Sequence, residues 1–163
     1  MFQVGILTVS DKGHAGQRPD TAGPELGRLL DPRRFAVAAY ELVPDEPEAI
    51  AAQLRAWSDD QGLDLILTTG GTGLSPRDTT PEATLSVAHR LVPGIPEAMR
   101  AASLAITPHA MLSRGVAVIR GRTLIINLPG SPKGARENLA AVAAALPHAL
   151  EKLQGSPAEC GAP

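Results

Sequence analysis

Two rhythms of apolar and polar residues alternate along the chain. Short apolar runs at residues 2–9, 63–67, 116–119 and 123–128, with a looser run at 35–43, read as strands. The first is apolar on both faces, which predicts a central strand. The loose alternation from Phe35 to Val43 predicts a strand near a sheet edge. Between these runs lie stretches with helical spacing. One helix, capped by Asp20 or Thr21, runs to about Leu30, with Leu26, Leu29 and Leu30 inward. Pro44-Asp45-Glu46-Pro47-Glu48 breaks the second strand and starts a helix through Ile50, Leu54 and Trp57, which Gly62 ends. Thr80-Pro81-Glu82 reads as another helix start, with Thr80 as N-cap and Pro81 at the first helical position. After a turn from Leu91 to Pro96, a helix runs from Glu97 to about Ile106, and Pro108 ends it. The turn Arg120-Gly121-Arg122 joins two strands into a hairpin and leaves both arginines in solvent. Ser131 and Pro132 open the last helix. Its stripe of Leu139, Val142, Ala143, Leu146, Leu150 and Leu153 is interrupted by Pro147, which should kink or divide it.

Strands alternating with helices predict a three-layer α/β/α sandwich, and the late hairpin makes its mostly parallel sheet mixed. The 163 residues suit one domain, spanning residues 1–154. Residues 155–163 have the composition of a disordered tail. No internal repeat or linker divides the chain.

Composition narrows the chemistry. Aromatics are only 2% of the residues, so the core is aliphatic and there is no stacking platform for single-stranded nucleic acid. A formal net charge of −2 leaves no electrostatic footprint for DNA or an anionic membrane. Any phosphate recognition must therefore be local. The single cysteine, Cys160, excludes an intramolecular disulfide framework and a cysteine-rich metal site. With no signal-peptide pattern and no apolar run near the roughly 20 residues of a membrane span, the expectation is a soluble cytoplasmic protein. His14, His89, His109 and His148 lack metal-ligand spacing and read as surface or loop residues.

The informative stretch is Thr68-Thr69-Gly70-Gly71-Thr72-Gly73-Leu74-Ser75-Pro76-Arg77-Asp78, a glycine-rich crossing from a strand end to a helix start. Glycines let backbone N–H groups approach an anion, and a helix N-terminus adds partial positive charge. Arg77 adds a phosphate fork and Asp78 a metal ligand. The loop has no lysine for a P-loop, and Pro76 stands where a dinucleotide fingerprint needs its third glycine. Two more loops, beginning near Ser10 and Pro129, are expected at the same edge. Asp45 belongs beside them, although locally it also reads as an N-cap. Ser10 and Asp11 are site candidates or a cap pair.

The series Thr68–Ala83, Val9-Ser10-Asp11 with Asp20-Thr21-Ala22-Gly23-Pro24, Val43-Pro44-Asp45-Glu46, Leu112-Ser113-Arg114 and Asn127-Leu128-Pro129-Gly130-Ser131-Pro132-Lys133 resembles the MoaB/Mog family of molybdopterin-processing proteins, in the family's own order. The resemblance extends to about Gln154; Ala22 departs from the serine common there. It implies molybdopterin adenylyltransferase activity in molybdenum cofactor biosynthesis, with ATP and molybdopterin as substrates. It also implies Mg²⁺ dependence, a trimer or a hexamer of two trimers, and other cofactor-biosynthesis proteins as partners. Asp45 and Asp78 take the family's catalytic and metal-binding positions. Gly70, Gly71, Thr72, Gly73, Pro129, Gly130, Ser131 and Lys133 fall on phosphate-holding segments. Ser103 matches a pterin-side contact, although locally it reads equally as a serine on a helix face. A non-catalytic pterin-binding or scaffold member is the rival reading, and loss of either aspartate would favour it. An unrelated phosphate-handling hydrolase is the third.

Overall fold

In the computed structural model, which describes residues 1–157, six strands form one mixed sheet. In chain order they are β1 (Phe2–Val9), β2 (Phe35–Val43), β3 (Leu65–Thr69), β4 (Arg90–Leu91), β5 (Ala117–Arg120) and β6 (Thr123–Leu128). Across the sheet the order is β2-β1-β3-β6-β5-β4. The pairs β1–β2, β1–β3 and β3–β6 are parallel; β5 and β4 complete the sheet antiparallel. The central and edge placements expected of β1 and β2 both hold. From residue 158 onward the expected tail lies outside the described residues.

Period-two alternation distributes the apolar side chains to two cores. Val4, Ile6, Leu65, Leu67, Leu124 and Ile126 face one layer, formed by α2 (Ala22–Leu29), α5 (Gly94–Leu104), α6 (Pro132–Val142) and α7 (Leu146–Leu153). Leu7, Val9, Ile66, Ile125 and Val118 face the other, formed by α3 (Pro47–Arg55) and α4 (Thr80–Ser86). The chain therefore leaves β1 through a helix on one face and leaves β2 through a helix on the opposite face. The winding reverses between β1 and β3, and loops that diverge there leave a crevice at the carboxyl edge.

Several local expectations shift. Thr79, not Thr80, is the N-cap position of α4, and Thr80 begins the helix with its hydroxyl buried and unpartnered. Residues 90–91 pair with β5 rather than merely turning, and α5 starts at Gly94. Pro108 opens a 3-10 turn instead of only stopping a helix. Arg120 is not solvated: its guanidinium grips Asp59 and the Val87 carbonyl. The last helix does divide, through a 3-10 turn at Ala143–Ala145 before α7. No helix among the described residues is long and apolar enough to cross a membrane.

Candidate functional site

The crevice is a cavity of about 630 Å³, within the usual range for small-molecule sites. The loops after β1, β3 and β6 form its floor, and glycine allows them to meet. Gly70 has φ +104°, and a Cβ there would lie 2.2 Å from the Val9 carbonyl oxygen. The Gly70 amide donates to the Leu128 carbonyl, and the Thr69 hydroxyl donates to that of Pro129 at 2.7 Å. A Cβ at Gly130 would sit 3.1 Å from the Gly70 Cα. Three strand ends thus converge where side chains would hold them apart.

Asp45 and Asp78 both line this cavity. Asp45 follows β2, and its local alternative as an N-cap does not hold: Glu46 occupies that position. Instead the Asp45 carboxylate accepts from the Asp11 amide at 2.7 Å, and the Asp45 amide donates to the Asp11 carboxylate at 3.0 Å. This reciprocal pair ties the loop after β1 to the loop after β2. Burial pushes the Asp45 carboxyl above its usual range; the neighbouring charges of Asp11 and Asp78 add to the rise, while the Asp11 amide and Arg77 oppose it. The Asp78 carboxylate accepts from the Ser75 amide at 2.9 Å, and a Cβ at position 73 would sit 2.9 Å from one of its oxygens and press it aside.

The other candidates divide. Ser10, Gly70, Gly71, Gly130 and Ser131 line the cavity with the two aspartates. Ser10 caps the short helix α1 (Asp11–His14), and Ser131 caps α6, each accepting from the amide three residues on. The amides of Gly71, Thr72 and Gly73 donate to no protein acceptor among the described residues. Arg77 forks onto Asp11 at 2.9 and 3.0 Å and reaches Glu46 at 2.8 Å. In this structure its fork is filled by carboxylates, and Arg77 with the Asp45 amide holds the Asp11 carboxyl below its ordinary range. Lys133 is outside the lining and lies 3.9 Å from Glu137. Ser103 is outside it too, its hydroxyl accepting from Asn138 between α5 and α6. Pro129 contributes its carbonyl to the loop contacts.

Three residues not named as site candidates from the sequence matter here. Asp20 lines the cavity and accepts from the Thr8 and Tyr40 hydroxyls, both at 2.6 Å, and from the Ala22 and Gly23 amides. Arg18 also lines it and donates to the Ser10 hydroxyl at 3.2 Å. Arg114 lies behind the glycine loop. Its amide donates to the Thr72 carbonyl and its guanidinium to the carbonyls of Gly73 and Asp78, with Glu82 as ion partner. The motif Leu112-Ser113-Arg114 was the available signal, but nothing in local sequence says what an arginine after a 3-10 turn will reach.

Among the described residues no group of three or more His, Cys, Asp or Glu side chains is placed to hold a metal. Three carboxylates line the cavity. Asp20 is occupied by its four hydrogen bonds, which leaves Asp45 and Asp78, from different loops, as an oxygen-only donor set that suits a hard cation completed by phosphates and water.

Comparison with known proteins agrees with this architecture. Residues 5–148 match the family described as a probable molybdopterin binding domain. Among solved structures, the molybdopterin biosynthesis enzyme MoaB from Thermus thermophilus superposes with a TM-score of 0.91 at 62% identity, covering 98% of this chain and all of that one. The molybdopterin adenylyltransferase of Haemophilus influenzae is 46% identical over 87% of this chain and 73% of its own length. Gephyrin of Dictyostelium discoideum is 44% identical over 94% of this chain, which spans only 23% of gephyrin's length. With the fold, the glycine loop and both aspartates in place, the chain belongs to the MoaB/Mog family of molybdopterin-binding domains.

Proposed function

We propose that the chain is a molybdopterin adenylyltransferase of molybdenum cofactor biosynthesis, transferring AMP from ATP to the terminal phosphate of molybdopterin with release of pyrophosphate. The observation that carries this reading is the meeting of Asp45 and Asp78 in one cavity with Gly71, whose amide donates to no protein acceptor among the described residues, in a chain 46% identical to an enzyme of that name. The attacking phosphate is already ionised at neutral pH, so no general base is required. The barrier lies in anion repulsion and in charge developing on pyrophosphate, which positioning and cations lower. Asp45 and Asp78 would hold Mg²⁺, whose chemistry when bound is to neutralise phosphate charge. The amides of residues 71–73 would hold phosphate oxygens, and Lys133, next in sequence to the lining residues Ser131 and Pro132, would add positive charge nearby; a pterin-side role for Ser103, which lies outside the lining, rests on the family resemblance.

The same reading carries cytoplasmic location, assembly as a trimer or a hexamer of two trimers, and contact with other proteins of the pathway. The rival reading, a pterin-binding scaffold without catalysis, is disfavoured by the presence of both aspartates. Incubating the purified protein with molybdopterin, ATP and Mg²⁺ should yield adenylylated molybdopterin and pyrophosphate. Wild-type protein that binds the pterin but makes no such product overturns the enzyme in favour of the scaffold.

A further inference from the structure

We propose that Arg114 is the positioning residue that aims Asp78. Residues 74–77 are all exposed, so no apolar burial fixes the segment that delivers this aspartate. The segment's own bonds are local: the Asp78 amide donates to the Ser75 carbonyl, and the Asp78 carboxylate accepts back from the Ser75 amide. These shape a turn but do not attach it to the body of the protein. Arg114 does. Its backbone amide donates to the Thr72 carbonyl at 2.9 Å and its Nε to the Gly73 carbonyl at 2.8 Å, gripping the start of the segment. One terminal nitrogen donates to the Asp78 carbonyl, gripping the end, and the other pairs with Glu82 in the first turn of α4. One planar group thus fixes both ends of the loop from Gly73 to Asp78 and the helix that follows, which a lysine ammonium cannot do with the same geometry. The outer clamp, Arg77 on Asp11 and Glu46, is half exposed at every member and correspondingly weak.

Arg114 touches the loop from behind and is absent from the cavity lining, so its effect on chemistry passes through Asp78. The kinetic part of this inference rests on the adenylyl-transfer reading; the structural part does not. Trypsin provides an independent readout, because Arg77 lies inside the loop. Wild type, Arg114→Ala, Arg114→Lys and Glu82→Gln are compared by mass spectrometry of early tryptic fragments and by steady-state kinetics. In Arg114→Ala, cleavage after Arg77 should accelerate about tenfold while the sites common to both proteins, which exclude the bond after residue 114, keep their wild-type rates, since only the local opening changes. Its kcat should fall about a hundredfold, the scale of a misplaced catalytic group, with KM for ATP and molybdopterin within about threefold. Arg114→Lys should lie between, and Glu82→Gln should lose less than about fivefold because that ion pair is half exposed. Wild-type kcat in Arg114→Ala or Arg114→Lys overturns the proposal, as does a loss that tracks accelerated cleavage throughout the chain. Should wild type form no adenylylated product, the functional reading fails, and unchanged cleavage after Arg77 then overturns the positioning role by itself.

Discussion

Asp45 and Asp78 face the same cavity, and Asp45 is held there against its own charge. Burial, then the charges of Asp11 and Asp78, raise its carboxyl above the ordinary range. A carboxyl whose folded pKa lies above its unfolded value destabilises the fold when ionised, and that penalty is relieved as pH falls through the folded pKa. At pH 7 the penalty is present. Asp45→Asn removes the charge yet keeps an oxygen to accept from the Asp11 amide. It should therefore abolish turnover while raising the melting temperature by about 2 °C, an active-site trade against stability. Asp78→Ala should abolish turnover with pterin affinity within severalfold of wild type; an active Asp78→Ala protein sinks its assignment as a metal ligand. The motifs made both aspartates legible. Arg114 was not, because its role is defined by three carbonyls and a carboxylate that only the fold brings around it.

At the scale of the element, strand and helix positions follow from periodicity, and the structure departs from it at element ends. Thr80 has the right residue type for a cap but begins α4 one position on, with Thr79 ahead of it. Residues 90–91 are too short to carry an alternation and become a strand only because β5 offers an edge. Gly5 shows the same dependence. It interrupts an apolar strand without any turn, and the reason is Trp57, swung over β1 by the π-helical turn Ala56–Asp60 that continues α3. A Cβ at Gly5 would meet the buried indole ring at 2.6 Å. Gly5→Ala should cost about 1–3 kcal/mol by overpacking, read as a lower urea midpoint with an unchanged slope. An unchanged midpoint would show that the ring moves aside freely.

At the scale of the molecule, one side chain links the sheet's β2 edge to the cavity. Asp20 accepts from Thr8 of β1, Tyr40 of β2 and the first amides of α2. Burial pushes the Asp20 carboxyl up, but those four hydrogen bonds outweigh it and leave its pKa below the ordinary value, while burial and Asp20 push the Tyr40 hydroxyl up to about 12. For a carboxyl with a depressed folded pKa, the stabilisation is present above the unfolded pKa and is lost as pH falls through the folded one. Thermal stability should therefore decline below about pH 4, the unfolded carboxyl's range. Asp20→Asn should start lower at pH 7 and show a shallower acid decline. An identical acid profile in wild type and Asp20→Asn would remove the network from the account.

Read along the chain, alternation and turn residues were enough for the layered α/β fold, for the central place of β1 and for the glycine loop with its aspartate. These depend on neighbours in sequence, through side-chain period and backbone freedom. Folding in three dimensions settles which loops share the cavity and what holds them: Asp45 against Asp11 rather than at a helix cap, Arg77 turned to carboxylates, Arg114 behind the loop, and Ser103 and Lys133 away from the lining. The physical reason is the reversal of winding between β1 and β3, which opens the crevice and brings together residues whose separation along the chain carries no record of it.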